Sequence, residues 1–162
     1  MIMGKLLASV GMKEGYHVTW MPSYGAEVRG GTAHSMVHIS TRPIAAPIIA
    51  RPSVCIIMNN PSLQKFAGKI EKSGLLIVNS SMAEEIPLKK GIQIVKAPFT
   101  EMARDLGSVK AANMIAAGIF ISLRKIFSID KLLKGLDTIF PSDERIMEIN
   151  RKAVKLGYER KF

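Results

Sequence analysis

The 162 residues are 48% hydrophobic and carry 23 lysines and arginines against 13 acids, a formal net charge of +10. That is apolar mass enough for a single core and excludes a disordered chain, while the cation surplus points to an acidic partner: nucleic acid, a membrane surface, or an acidic protein or cofactor. The lone cysteine, Cys55, sits in the apolar run 54–58, which excludes an internal disulfide framework and any zinc or iron–sulfur centre built from this chain's thiolates; a reducing, cytoplasmic setting is expected.

Residues 1–10 lack the basic start and cleavage site of an export signal. The stretch 5–13 has helical spacing, with Leu6, Leu7 and Val10 on one side and Gly15 as terminator. Two strands follow, 17–21 and 33–40, and after Pro43 and Pro47 the run 54–58 reads as a third. Asn59-Asn60-Pro61-Ser62 is helix-start chemistry for 63–72, which Gly74 closes. The unbroken apolar run 75–79 is a strand covered on both faces, and 92–95 repeats that pattern. Helices are expected at 99–106 and 110–127. The second is too short to be a membrane span, because its apolar part ends at Arg124-Lys125, well before the roughly 20 residues a bilayer requires. The C-terminal stretch 142–156 is amphipathic, with Ile146, Ile149, Ala153 and Leu156 as its apolar stripe and Ser142 as its N-cap. Strands alternating with helices predict one α/β domain over residues 1–162, three layers around a largely parallel sheet.

The chemistry-bearing stretch is 22–31, Pro-Ser-Tyr-Gly-Ala-Glu-Val-Arg-Gly-Gly. Pro22 fixes one backbone angle, and Gly25, Gly30 and Gly31 allow a sharp bend. If the segment between them is extended, Glu27 and Arg29 point to one side, forming either a recognition surface or a local ion pair bracing the turn. His34 and His38 share a strand face, yet no further ligands at metal-site spacing accompany them, so no metal is assigned. Ser23 lacks the strand–elbow–helix setting of a nucleophile and an acid to orient a histidine base. A single Arg29-Gly30-Gly31 within an apolar domain does not make a nucleic-acid tract, and none is expected as partner. Asn113 opens an apolar helix as a polar exception and needs a hydrogen-bond partner; Ala112, Ala116, Ala117 and Gly118 keep that helix slim enough for another backbone to approach.

Taken together, the order of residues 3–40, the Pro43–Pro47 segment, the strand Gly-Leu-Leu-Ile-Val-Asn-Ser-Ser and the pair Ala-Arg-Asp-Leu-Gly and Ala-Ala-Asn-Met-Ile-Ala-Ala-Gly resemble the gamma subunit of the 2-oxoacid:ferredoxin (acceptor) oxidoreductases. The resemblance covers essentially the whole chain. Its most specific part is Ser23-Tyr24-Gly25 with Glu27 and Arg29-Gly30-Gly31; the region 107–113 is a weaker second block. The Ser-Tyr-Gly form is nearer to the 2-oxoglutarate, pyruvate and 2-oxoisovalerate branches than to the indolepyruvate branch.

The resemblance implies a Rossmann-like fold and a structural, assembly role in a complex that oxidatively decarboxylates a 2-oxoacid, with 2-oxoglutarate expected, to acyl-coenzyme A, carbon dioxide and reduced ferredoxin. Thiamine diphosphate, magnesium and iron–sulfur clusters are expected on the alpha and beta partners, with a ferredoxin-like delta subunit as an optional further member and coenzyme A as co-substrate. Ser23, Tyr24, Gly25, Glu27, Arg29, Gly30 and Gly31 are the implied interface or cleft loop, and no catalytic residue is assigned. The alternative is a stand-alone nucleotide- or coenzyme-A-binding module. Family members begin with a strand and a GxGGQG-like turn ahead of the first helix, whereas this sequence starts inside that helix, so the opening strand is expected to be missing and a phosphate site built on that turn has no counterpart here.

Overall fold

The computed structural model describes residues 1–24, 32–84, 91–140 and 143–162. Its elements are α1 (Ile2–Lys13), β1 (His17–Ser23), β2 (His34–Ser40), β3 (Val54–Ile57), α2 (Asn60–Phe66), β4 (Leu75–Asn79), β5 (Gln93–Ala97), α3 (Phe99–Asp105), α4 (Ala112–Arg124), α5 (Ile129–Ile139) and α6 (Glu144–Glu159), with 3-10 turns at Ala67–Lys69 and Val109–Ala111.

The strands β3, β4 and β5 lie side by side in that order and run parallel, Val54 opposite Leu75 and Leu75 opposite Gln93. All five residues of the central β4 are buried, as an unbroken apolar run in a doubly covered strand requires. The two-residue period of the strand divides them. Leu75 and Ile77 enter a large cluster with Met114, Ile115, Ile119, Leu132, Leu136 and Val154, while Leu76 and Val78 enter a smaller one with Cys55, Ile57, Leu63, Ala67 and Ile70. The result is the expected α/β arrangement of helices, sheet and helix in three layers. Asn59 starts α2 as its sequence suggested, its side-chain oxygen accepting from Ser62 N at 3.1 Å.

The first two strands do not join that sheet. They pair with each other, antiparallel, from His17 opposite Ser40 to Ser23 opposite His34. Sequence alternation alone had suggested one largely parallel sheet; the connection between β1 and β2 is shorter than the dozen or more residues a parallel crossover needs, so the second strand returns beside the first. A two-stranded pair is weak alone. Here α1 covers one face, with Gly11 placed so that an added Cβ would lie 3.0 Å from Val18 Cγ2 and 3.6 Å from Ile39 Cγ2.

Two further differences lie in the helices. The apolar stripe predicted for α6 is rotated: Ile146 is 44% and Leu156 37% exposed, whereas the buried residues are Asn150, Ala153, Val154 and Gly157. A Cβ at Gly118 would overlap the carbonyl oxygen of Val154, and one at Gly157 that of Ile115, so α4 and α6 touch backbone to backbone and the small residues face inward. The slim face foreseen for α4 is thus used. The helix α5, which sequence patterning left unread, carries Gly135 in its middle; a Cβ there would meet Val10 Cγ2 at 2.5 Å and Leu6 Cδ1 at 2.9 Å. Ser142, the expected N-cap of α6, lies outside the described residues; the side chain that caps this helix is Asp143, accepting from Ile146 N at 3.0 Å.

Candidate functional site

Two regions carry the polar features that the core does not explain. The first is the foot of the stretch singled out in the sequence. Gly25, Glu27, Arg29, Gly30 and Gly31 lie outside the described residues, whereas Ser23 and Tyr24 end β1 and Thr32 leads into β2. Tyr24 is 71% exposed. Ser23 stands opposite His34, a pairing the linear sequence did not reveal. The His34 ring lies 4.7 Å from that of Phe66 at 52°, and Lys65 and Lys69 place their ammonium groups 5.5 and 5.6 Å from the Phe66 centroid. Lys65 also donates to Thr32 Oγ1 at 2.7 Å, tying α2 to the start of β2.

Burial, then the charges of Lys65 and Lys69, lower the His34 pKa below its ordinary value, so this imidazole is neutral near pH 7. Its Nδ1, the Nδ1 of His38 and the Oγ1 of Thr19 are buried and have no hydrogen-bond partner among the described residues. His38 and Thr19 are themselves opposite each other across the pair, so these unpaired atoms gather on the strand face turned away from α1. No group of three or more His, Cys, Asp or Glu suited to a metal occurs among the described residues. Ser23 and His34 are brought together, but among the described residues no acid joins them to form a nucleophilic triad.

The second region is a cleft of about 750 Å³ where the starts of α1, α4 and α6 converge. Asn113, the residue flagged in the sequence, lines it; its Oδ1 is buried and accepts no hydrogen bond. Asn150, on the facing helix α6, lines the same cleft and is 6% exposed. Ser108, Arg104, Lys110 and Arg145 complete its polar lining together with Asp143, whose carboxylate is engaged in capping α6. The walls are apolar: Ile2, Val109 and Ile146 turn toward it although they are 44, 50 and 44% exposed. Sequence reading marked Asn113 and, through the resemblance, the block 107–113 here. The remaining residues come from four separate segments, and the sole local signal was Asn150, a polar residue at an inward position of α6 once the stripe is set by Ala153 and Gly157.

A chain whose three-stranded parallel sheet is covered by helices on both sides has the form of an α/β domain. It belongs to the pyruvate ferredoxin/flavodoxin oxidoreductase family, whose model matches residues 1–160. The ketoisovalerate oxidoreductase subunit VorA of Methanothermobacter marburgensis is 31% identical over 96% of this chain, and the chain spans 32% of that relative's length. The 2-oxoglutarate synthase subunit KorC of Methanocaldococcus jannaschii is 28% identical over 98% of this chain and 83% of its own. The fold is shared with the solved gamma subunit of a keto/oxoacid ferredoxin oxidoreductase from Geobacter sulfurreducens, at a TM-score of 0.82 and 24% identity, over 97% of this chain and 88% of that one. No helix among the described residues is long and apolar enough to cross a membrane.

Proposed function

We propose that this chain is the gamma-type part of a cytoplasmic, thiamine-diphosphate-dependent 2-oxoacid:ferredoxin oxidoreductase, a single domain that supports assembly of the complex. The observation that carries the reading is the family match over residues 1–160. The gamma-type role is supported by a shared fold with a protein named as such. In the reaction a 2-oxoacid loses carbon dioxide, its two electrons pass to ferredoxin and the acyl group passes to coenzyme A. Thiamine diphosphate, magnesium and the clusters are assigned to alpha and beta partners, with a ferredoxin-like delta subunit as a further one. This chain's donor set agrees with that division, since one buried cysteine cannot supply the four thiolates of a cluster. No step of the chemistry is assigned to residues of this chain.

The stretch 22–31, with Ser23, Tyr24, Gly25, Glu27, Arg29, Gly30 and Gly31, is proposed as the docking loop. Its flanks support this: Tyr24 is exposed, and the adjoining strand face holds buried polar atoms that lack partners. The substrate is a 2-oxoacid. The loop sequence suits the 2-oxoglutarate, pyruvate and 2-oxoisovalerate branches alike; 2-oxoglutarate is the substrate expected here and the one named for KorC, while the more similar VorA is named for ketoisovalerate, so both are to be assayed.

Affinity-tagged chain, purified anaerobically from its own cells, is expected to bring down thiamine-dependent and cluster-bearing polypeptides, and the eluate to reduce ferredoxin with coenzyme A and one of these 2-oxoacids. Recovery of the chain with no such partner overturns the reading. Arg29→Ala is expected to lower the yield of intact complex or its turnover about tenfold, the loss for one charged hydrogen bond at an interface. Unchanged subunit ratio and rate would remove the loop from the interface.

A further inference from the structure

Residues 41–53, between β2 and β3, form neither helix nor strand, and loops of about this length without structure of their own are uncommon inside a compact domain unless they are functional. The run 43–50, Pro-Ile-Ala-Ala-Pro-Ile-Ile-Ala, carries no polar side chain, and all of it except Ile44 and Ile49 is exposed. Ile48, at 67%, is more exposed than any other described isoleucine, leucine or valine. Pro43, Pro47 and Pro52 each fix one backbone angle, so the strap is stiff rather than slack. Its main chain is unused as well. The N–H groups of residues 44–46 and 48–51 make no hydrogen bond among the described residues, whereas at the two ends Arg42 N donates to Ser40 Oγ at 3.0 Å and Pro52 O accepts from Glu71 N at 3.1 Å.

The strap leaves β2 at Ser40, opposite His17, whereas the stretch 22–31 lies at the other end of the strand pair, beyond Ser23 and His34. A seven-residue strand rising about 3.4 Å per residue sets the two roughly 20 Å apart. Arg42 and Arg51 flank the apolar run, both exposed and neither ion-paired among the described residues. An occupant that matches the strap therefore offers apolar surface, acceptors for the N–H groups and carboxylates at both ends. Hydrocarbon chains of a lipid lack the acceptors, and a polypeptide has all three. The relatives indicate which polypeptide. This chain spans 32% of VorA but 83% of KorC, so the same domain occurs both joined to a long further stretch and nearly by itself. Where no linker supplies a high effective concentration, contact surface has to hold the two together.

We propose that the strap 42–51 docks the polypeptide corresponding to the part of VorA that lies outside this match, Ile48 and the prolines seated in an apolar groove of that polypeptide and Arg42 and Arg51 on its carboxylates. This rests on the gamma-type reading above and goes beyond it, because it adds a second contact surface, remote from the stretch 22–31, and states what covers it.

Photo-cross-linking and hydrogen exchange on the full chain test it. With p-benzoylphenylalanine at position 48, irradiation of the chain's own cells is expected to yield a cross-link to one polypeptide whose sequence matches that part of VorA, and the same group at position 152, exposed on α6, is expected to yield none. In the complex recovered through an affinity tag, the amides of residues 44–46 and 48–51 are expected to exchange at least tenfold more slowly than in the free chain. Ile48→Lys is expected to lower the recovered partner about tenfold, while Met12→Lys, which changes an apolar side chain 66% exposed on α1, leaves the yield as it was. Thermal midpoints of both variants are expected to match the parent's, and the exchange measurement needs no variant. A complex that assembles without the cross-link at 48, with strap amides exchanging as in the free chain, or with an Ile48→Lys yield equal to the parent's overturns the docking role and leaves the gamma-type reading standing. Recovery of no such complex overturns both. A cross-link from position 48 to a second copy of this chain also overturns the proposal, as does sedimentation with phosphatidylserine vesicles that Ile48→Lys abolishes, which would make the strap a membrane contact.

Discussion

Asn79 shows how a single buried amide ties the ends of this sheet together. It is 1% exposed at the last position of β4. Its Nδ2 donates to Met58 O at 3.1 Å and to Thr100 Oγ1 at 2.9 Å, and its Oδ1 accepts from Thr100 N and Ser81 N at 3.4 Å. The residue thus joins the exit of β3, the exit of β4 and the first turn of α3. Removing it leaves buried groups on all three segments without partners, which costs more than the bonds themselves. Asn79→Ala is expected to lower unfolding free energy by about 2–4 kcal/mol in urea denaturation. A loss below about 0.5 kcal/mol would show that water replaces the amide. Asn113 is the opposite case, an amide whose oxygen has no partner among the described residues. Sequence reading marked Asn113 as anomalous and passed over Asn79 as strand end, because a polar residue inside an apolar helix breaks a visible pattern whereas one at a strand end does not.

At the scale of elements, the contact between α4 and α6 depends on what is missing from two positions. Gly118 and Gly157 each face a carbonyl oxygen of the other helix, so a methyl group at either would force the axes apart. Gly118→Ala or Gly157→Ala is expected to destabilise by about 3 kcal/mol even though alanine favours a helix, since overlap with backbone cannot be relieved by turning a side chain. Gly68, in the 3-10 turn after α2, has open space around the same hypothetical atom, and Gly68→Ala serves as control with an effect within about 0.5 kcal/mol. Equal thermal midpoints for the three variants would refute the packing argument. This contact also explains what patterning could and could not reveal. Strands β3 and β4 and the helix at 112–124 were legible because their burial follows hydrophobicity. The buried stripe of α6 was legible only at Ala153 and Ile149, because the rest of its inward face is chosen for small size at Gly157; α5 buries Leu132 and Leu136 on an ordinary apolar stripe, and nothing in its packing explains why it went unread. The pairing of β1 with β2, and with it the approach of Ser23 to His34, follows from how the chain returns, which local sequence does not encode.

Across the whole molecule the sheet divides two cores of unequal depth. On one side lie α1, α3, α4, α5 and α6; on the other, α2 and its 3-10 extension cover Cys55, Ile57, Leu76 and Val78. Cys55 reports on the thinner side. It is 8% exposed, and burial pushes its thiol up to about 11 from an ordinary value of 9.0. Between those values the unfolded chain releases the thiol proton while the folded chain keeps it, so the unfolded state binds fewer protons and stability must fall as pH rises from about 9 to about 11. At 1.36 kcal/mol per unit the loss is at most roughly 2–3 kcal/mol. The comparison is with Cys55→Ala: its urea midpoint, lower than the parent's at pH 8, is expected to decline less steeply up to pH 10.5. Parallel decline in both proteins would mean that the thiol is solvated on this side of the sheet. The same thiol, probed at pH 8 with a disulfide reagent, is expected to react through opening of the short helix α2 and therefore faster than the global unfolding free energy allows, because a seven-residue helix and one turn hold that layer in place. Reaction only at the rate set by global unfolding would show the two cores to open as one.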